Sequence, residues 1–310
     1  MTRWFWNFDQ HRLHTFWRLW INFSLFLTLI LCYEIVTHSA GSSPANAVIG
    51  SILYLCGGLG LAWLMSRFID RRSFKDYGFH LNQQWGTDLL FGLFLGAFLL
   101  SGIFLTEITA GWVSVSSINL TTSPLPFWLA FPGSVFGFTA VGVNEELVFR
   151  GYQIKNLAEA ASGLKRGPRV AIASAFLISS ALFGLAHMGN ENATPVSSFN
   201  LFLGGILLGL PFLLSGDLAL SIGLHISWNL FEGTIYGFSV SGMQPATHLL
   251  VIQQSGPTLW TGGAFGPEAG LLSIIWTLVG CGLVLIWFKS RRRLELALPL
   301  TVYSPSDSRD

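Results

Sequence analysis

Three short patterns place ionisable or hydrogen-bonding side chains inside stretches that are otherwise strongly apolar. In chain order they contain Glu145, Glu146 and Arg150, then Phe183 and His187, then His225 and Asn229. Such groups are costly to bury in lipid and usually face a partner or water, so their presence indicates a functional site. Two carboxylates, two imidazoles and an amide could together activate a water molecule and stabilise a developing negative charge.

The first pattern separates its two carboxylates. Glu146 and Arg150 are four residues apart, so they share one face of a helix and can form an ion pair. Glu145 is rotated by about 100° from Glu146 and cannot share that partner equally. We therefore predict that Arg150 holds Glu146 and that Glu145 is free to act as a general base. The alternative is an interfacial charge cluster that closes the fourth predicted span.

The other two patterns have the same i,i+4 spacing. Phe183 and His187 share a face of the fifth predicted span, and His225 and Asn229 lie in the middle of the seventh. A packed or interfacial histidine is the alternative for His187, and an interhelical hydrogen-bond pair is the alternative for His225 and Asn229. Glu232 falls on the same face as Asn229 and is a further candidate.

Other polar residues are predicted to have structural roles. Asp217 precedes the seventh span and is expected to cap that helix. Glu34 and Glu107 end spans on the opposite side and are expected at the interface. Three cysteines within apolar stretches have neither a disulfide framework nor metal-ligand spacing; they are Cys32, Cys56 and Cys281.

The composition indicates a membrane protein. The 310 residues are 51% hydrophobic and 11% charged, whereas soluble domains usually carry about 25% charged residues. The net charge of +1 gives no support to a nucleic-acid partner. The lipid bilayer is therefore the expected environment.

The apolar stretches predict an all-α bundle of about eight transmembrane helices. A spanning helix needs about 20 apolar residues. The stretches are roughly 17–37, 47–66, 87–108, 127–149, 170–187, 199–216, 218–236 and 270–288. An eight-span arrangement places all 17 Lys and Arg residues on one side, so the positive-inside rule puts both termini in the cytoplasm.

The remaining segments complete a single transmembrane domain over 1–298. Residues 151–164 have amphipathic character and are predicted to lie at the cytoplasmic interface. Residues 237–269 form a long loop on the far side, with an apolar run at Leu249–Ile252, and are predicted to be re-entrant or interfacial. Residues 299–310 are predicted to be a disordered tail, and the first apolar segment is expected to be a retained helix.

The three patterns together resemble a known family. The chain is similar to the CAAX-protease and bacteriocin-processing family (CPBP, or Abi), whose intramembrane proteases include the type II CAAX prenyl endopeptidases. That family has EExxxR, FxxxH and HxxxN/D motifs on successive transmembrane helices, and all three occur here within roughly 127–236.

The resemblance implies a role for each motif residue. Glu145 would activate the attacking water, while Glu146 and Arg150 would shape the site. The second and third motifs would hold the water and the developing oxyanion; they supply His187, His225 and Asn229.

The resemblance leaves the cofactor open, because members of the family are described both as metal-dependent and as metal-free glutamate peptidases. Glu145, His187 and His225 are ligand types that suit zinc. The HExxH pattern is missing, however, and the three groups come from three helices. We favour a metal-free water site with Glu145 as the base and keep a divalent metal such as zinc as the alternative.

The predicted function is therefore that of an intramembrane endopeptidase, a hydrolase acting on a membrane-associated, prenylated or leader peptide. The resemblance suggests a multi-pass protein of the bacterial plasma membrane. One alternative is a non-catalytic membrane immunity or scaffold protein. A proton-coupled transporter is the other, although the chain lacks the duplicated halves that carriers often show.

The predicted spans also raise a question of depth. Glu145 lies near the cytoplasmic end of the fourth span, whereas His187 lies about 27 Å along a straight helix from Arg169, at 1.5 Å per residue. The two can meet only if the fifth helix begins well inside the cytoplasm or tilts strongly, and we predict that it does.

Overall fold

The protein is a bundle of long apolar helices. The computed structural model describes residues 4–39, 44–119, 126–163 and 167–305. Within these ranges seven helices are long and apolar enough to cross a membrane, which confirms the predicted polytopic bundle. They are Thr15–Thr37, Asn46–Asp70, Gln83–Thr109, Phe127–Ser162, Pro168–Ala186, Pro195–Ser215 and Leu271–Ser290.

The helices are named here in chain order. They are α1 (Thr15–Ser39), α2 (Pro44–Leu64, continued by a π-helix to Asp70), α3 (Gln83–Thr109), α4 (Phe127–Glu146), α5 (Lys155–Ser162), α6 (Pro168–Ala186), α7 (Pro195–Ser215), α8 (Ala219–Asn229), α9 (Thr258–Thr261) and α10 (Leu271–Ser290). The strands are β1 (Trp6–Asn7), β2 (Arg12–Leu13), β3 (Val113–Ile118) and β4 (Leu250–Gln254).

Helix α8 lies inside the bundle. It continues as a π-helix to Ile235, and every residue from Ala219 to Ser227 is buried among α3, α4 and α7. The whole helix is about 25 Å long at 1.5 Å per residue, which is less than a hydrocarbon core of about 30 Å. The predicted span 218–236 is therefore helical, but it is shorter than the seven helices that are long and apolar enough to cross a membrane, so seven of the eight predicted spans are matched at that length.

Glycines allow α8 to pack closely against α3. A Cβ on Gly92 would collide with the α8 backbone at Leu220, and a Cβ on Gly223 would collide with the α3 backbone at Leu89. Small residues that let backbones approach are typical of helix contacts in membranes, where dispersion replaces the hydrophobic effect. This contact fixes the helix that carries His225 and Asn229.

Helix α4 does not end where the apolar stretch ends. A π-helical segment, Leu147–Ile154, joins α4 to α5 and makes one continuous helix of 36 residues. All residues from Leu147 to Asn156 are buried. The prediction of an interfacial helix over 151–164 is therefore wrong, because its apolar face packs on protein.

This continuous helix also answers the question of depth. Helix α6 packs against α5 and the π-helical segment, with the connection at 163–167 between them. Glu145 and His187 lie almost equally far along the chain from that connection, so antiparallel packing brings them to the same level. The special tilt of the fifth helix that we predicted is not needed.

The loops on the far side form a small sheet. Strand β3 pairs antiparallel with β4, with Val113 opposite Gln254 and Ile118 opposite Leu250. The apolar run in 237–269 is thus largely a strand rather than a re-entrant segment. Glu107 is fully buried, and Gln254 Nε2 donates to its Oε2 at 3.0 Å, so the prediction of an interfacial Glu107 is wrong.

The C-terminal segment is ordered as far as residue 305. Leu298–Thr301 forms a 3₁₀ turn with Leu300 buried. Lys155 Nζ donates to the Pro299 carbonyl at 2.7 Å, and the Arg12 guanidinium stands 3.4 Å from the centre of the Tyr303 ring. The predicted disordered tail is therefore wrong for 299–305, while 306–310 lie outside the described residues.

Candidate active site

The end of α4 separates the two glutamates as predicted. Glu146 is fully buried, and Arg150 Nη1 donates to its Oε1 at 2.9 Å. Arg150 is buried too, with its guanidinium 4.3 Å from the centre of the Phe183 ring. Glu145 does not share this cation and keeps a slightly exposed side chain.

Glu146 has a second partner that the sequence did not reveal. His225 Nδ1 lies 2.8 Å from the same Glu146 Oε1. A carboxylate accepts, so Nδ1 carries a proton, and in the neutral imidazole Nε2 keeps its lone pair. His225 Nε2 lies 3.9 Å from Glu145 Oε2. The imidazole is thus held by one glutamate and turned toward the other.

His187 follows the last residue of α6. Its Nδ1 lies 2.8 Å from the Phe183 carbonyl oxygen one turn earlier. The Phe183 ring centre lies 4.8 Å from that of His187 and 6.1 Å from that of His225. The Phe183 ring of the FxxxH pattern therefore lies between His187 and His225 and contacts both.

A cavity of about 530 Å³ joins these groups. Four predicted site residues line it: Glu145, His187, His225 and Asn229. Its other walls are mainly apolar and aromatic, which is usual for small-molecule and peptide pockets of this size. Glu146 and Arg150 do not line the cavity; Glu146 meets its wall through His225, and Arg150 meets it through the Phe183 ring.

The comparison with family models gives one match. Residues 126–231 match the model described as type II CAAX prenyl endopeptidase Rce1-like. This segment is Rce1-like. The match confirms the predicted family resemblance, and all three motifs fall inside it. The searches of curated proteins and of solved structures found no match.

Several cavity residues lie outside the Rce1-like segment. Glu34 comes from α1, and its interfacial position stays a prediction, while Glu268 precedes α10. Ser241 donates to Glu268 Oε2 from its backbone N at 2.9 Å and from Oγ at 2.6 Å. Asn190 Nδ2 in turn donates to the Ser241 carbonyl at 2.8 Å. One signal was available: Glu268 is the only charged residue in 237–269.

Two other candidates are not part of the cavity. Glu232 is fully buried and interacts with Trp228 and with the backbone of Glu268. Asp217 does not cap α8, whose N-cap is Leu218; instead Asp217 Oδ1 lies 2.6 Å from His80 Nδ1. That hydrogen bond raises the pKa of His80 above its usual value.

The predicted metal ligands do not form a ligand set in this arrangement. Among the described residues, no three His, Cys, Asp or Glu side chains converge to hold a metal ion. Zinc needs three or four ligands at about 2.0–2.3 Å from the ion. Glu145 and His225 approach each other, and His187, whose Nδ1 bonds the Phe183 carbonyl, does not complete a ligand set with them.

Proposed function

We propose that this protein is an intramembrane endopeptidase in which Glu145 activates the attacking water. The observation that carries the proposal is the position of Glu145 Oε2, buried on the cavity wall 3.9 Å from His225 Nε2. This oxygen has no hydrogen-bond partner in the described part of the protein. Buried polar atoms are almost always paired, so such an atom on a cavity suits a water or a substrate.

The geometry supports the following steps. A water donates one hydrogen bond to Glu145 Oε2 and the other to His225 Nε2. Glu145 takes its proton as the oxygen attacks the scissile carbonyl carbon, and a tetrahedral oxyanion forms. Glu145 then gives that proton to the leaving nitrogen as the carbon–nitrogen bond breaks.

The oxyanion needs hydrogen-bond donors on the cavity wall. The Asn229 amide is buried and lines the cavity, and His187 lines it from α6. Donors placed in advance where charge develops stabilise a transition state strongly in a water-poor site. We assign this role to Asn229, with His187 beside it.

Glu146 and Arg150 are positioning residues in this mechanism. Glu146 fixes the tautomer and orientation of His225, as carboxylates do for histidines in many active sites. Arg150 keeps Glu146 charged and paired in an apolar interior. Neither side chain needs to contact the substrate.

The test compares a Glu145→Gln variant with a Glu191→Gln control. Glu191 is an exposed carboxylate on the loop after α6, outside the cavity lining. Membranes of cells producing parent or variant are compared by terminal-peptide proteomics, and the peptides found are then assayed with purified protein in nanodiscs. Loss of the general base should lower kcat by roughly 10²–10⁴-fold. Equal cleavage by parent and Glu145→Gln would reject the mechanism.

A further inference from the structure

The charge of the cavity lining is one-sided. Its described residues include three carboxylates, Glu34, Glu145 and Glu268, and no Lys or Arg. Like charges brought together without water repel strongly, whereas opposite charges attract. The lining therefore disfavours an anionic group of a substrate and favours a cationic one.

Glu268 is the carboxylate best placed to bind a substrate without taking part in the reaction. It is buried, and Ser241 fixes its Oε2 through two donors. Asn190 fixes Ser241, so three separate chain segments hold the group in place. Both bonds go to one oxygen, which leaves the lone pairs of Oε1 for another donor. A charge held this firmly loses little conformational freedom when a ligand binds.

A second observation indicates a polar ligand in the same cavity. Asn200 is buried and lines the cavity; its Nδ2 donates to the Gly270 carbonyl at 2.9 Å, while Oδ1 has no partner in the described ranges. An unpaired buried amide oxygen costs free energy unless a ligand or water donates to it. The wall near the start of α10 thus presents acceptors to whatever enters.

The helix geometry gives the offset of Glu268 from the reacting groups along the helix axis. Glu232 lies two turns beyond His225 on the same continuous helix, about 10 Å along its axis at 1.5 Å per residue. A Cβ on Gly266 would lie 3.4 Å from Glu232 Oε1, which places the segment leading to Glu268 near this level. An extended peptide advances about 3.3 Å per residue. This axial offset corresponds to about three residues of an extended substrate in the cavity that Glu268 and His225 both line.

We propose that Glu268 is a specificity-determining residue that pairs with a cationic group of the substrate. The preferred substrate is an apolar membrane peptide with a Lys or Arg side chain, or a free amino group, about two to four residues from the cleaved bond. This inference rests on the proposed endopeptidase function.

The experiment uses the full chain in nanodiscs and synthetic apolar peptides of about 20 residues. Matched peptides carry Lys, Gln or Glu at one scanned position on either side of the cleaved bond, and a further pair has a free or an acetylated amino terminus. We expect the parent to cleave the Lys peptide with a kcat/KM roughly tenfold above that of the Gln peptide. In Glu268→Gln this ratio should fall to about one.

A charge-reversal variant tests whether the effect of Glu268→Gln comes only from a loss of structure. Glu268→Lys should prefer the Glu peptide over the Lys peptide, which a merely damaged loop cannot produce. The Glu191→Gln control should keep the parent ratio. If Glu268→Gln keeps that ratio as well, Glu268 does not set specificity.

The two proposals fail in different ways. Cleavage that depends on Glu145 but ignores the Lys, Gln and Glu series overturns only the role of Glu268. Cleavage that persists in Glu145→Gln overturns the proposed mechanism and this inference with it.

Discussion

The bundle contains two buried polar clusters that treat their carboxylates in opposite ways. In one, which we term the Asp70–Glu159 network, both carboxylates are surrounded by donors on β2, α1, α5 and the segment after α2. Its members are Arg12, Arg18, Asp70, Arg72, Tyr77, Tyr152, Asn156 and Glu159. In the other, which we term the Glu145–His225 cluster and which also contains Glu146 and Arg150, one glutamate is paired and its neighbour is not.

This difference indicates that the Asp70–Glu159 network has a structural role. Asp70 accepts from Arg18 at 2.8 Å and from Tyr77 at 2.6 Å, and Glu159 accepts from Arg72 at 2.6 Å and 2.8 Å. Carboxylates paired in this way rigidify a fold. Glu145 Oε2 has no such partner in the described part of the protein, so a water or ligand that donates to it would lower its free energy. The first cluster ties the N-terminal segment to α5, whereas the second leaves an acceptor for a ligand.

The largest expected contrast comes from neutralising one carboxylate in each cluster. Asp70→Asn leaves Arg18 without its buried counter-charge, removes the longer pair with Arg72, which keeps Glu159, and should cost about 3–5 kcal/mol of stability. Glu145→Gln removes no ion pair with a permanent cation and should leave the unfolding temperature nearly unchanged while activity falls. Thermal unfolding in detergent, read beside the peptide assay, checks both. If Glu145→Gln lowers the unfolding temperature as much as Asp70→Asn does, the two clusters do not differ in their structural role.

Glu146→Gln should lower both the stability and the activity of the protein. It leaves Arg150 without a buried counter-charge and weakens the bond that orients His225. We expect kcat to fall about 10–100-fold, as for other partners that orient histidines, with a smaller change in KM and a lower unfolding temperature. Separate measurement of kcat, KM and unfolding tests this. A change in KM alone would place Glu146 in substrate binding instead.

The sequence predicted what depends on local spacing and apolar length. The seven long helices follow from runs of about 20 apolar residues, and the Glu146–Arg150 pair follows from i,i+4 geometry. The meeting of Glu145, His187, His225 and Asn229 was expected from the co-occurrence of three motifs. These features are encoded within a few residues of one another or in the family resemblance.

Contacts between distant segments were not predictable in the same way. The amphipathic pattern of 151–164 is the same whether its apolar face meets lipid or, as here, other helices. Arg12, Arg18 and Arg72 indicated only a side of the membrane, because their partners lie far away in the chain. Glu268 enters the cavity through a loop whose path depends on the β3–β4 pairing, and β3 is too polar to predict as a strand.

Metal removal tests whether the Glu145–His225 cluster belongs to a zinc site. Because no three potential ligands converge among the described residues, we expect cleavage to persist after dialysis against a chelator. Peptide hydrolysis is measured before dialysis, afterwards, and after zinc is added back. Loss of activity with chelator and recovery with zinc would show that Glu145, His187 and His225 move together to bind a metal.

The smallest expected effect concerns His80 and Asp217, a pair at the surface that belongs to neither buried cluster. The hydrogen bond to Asp217 raises the pKa of His80 above 6.5, so the folded state binds a proton more tightly than the unfolded chain. The pair therefore stabilises the protein fully at a pH below 6.5 and loses that contribution as the pH rises through the higher folded value. Nearly half of the His80 side chain is exposed, and solvent weakens the interaction.

The unfolding temperature of His80→Gln should thus lie slightly below that of the parent at pH 6 and should equal it in strongly basic buffer. A deficit that is the same at both pH values would mean that His80 acts through packing rather than charge.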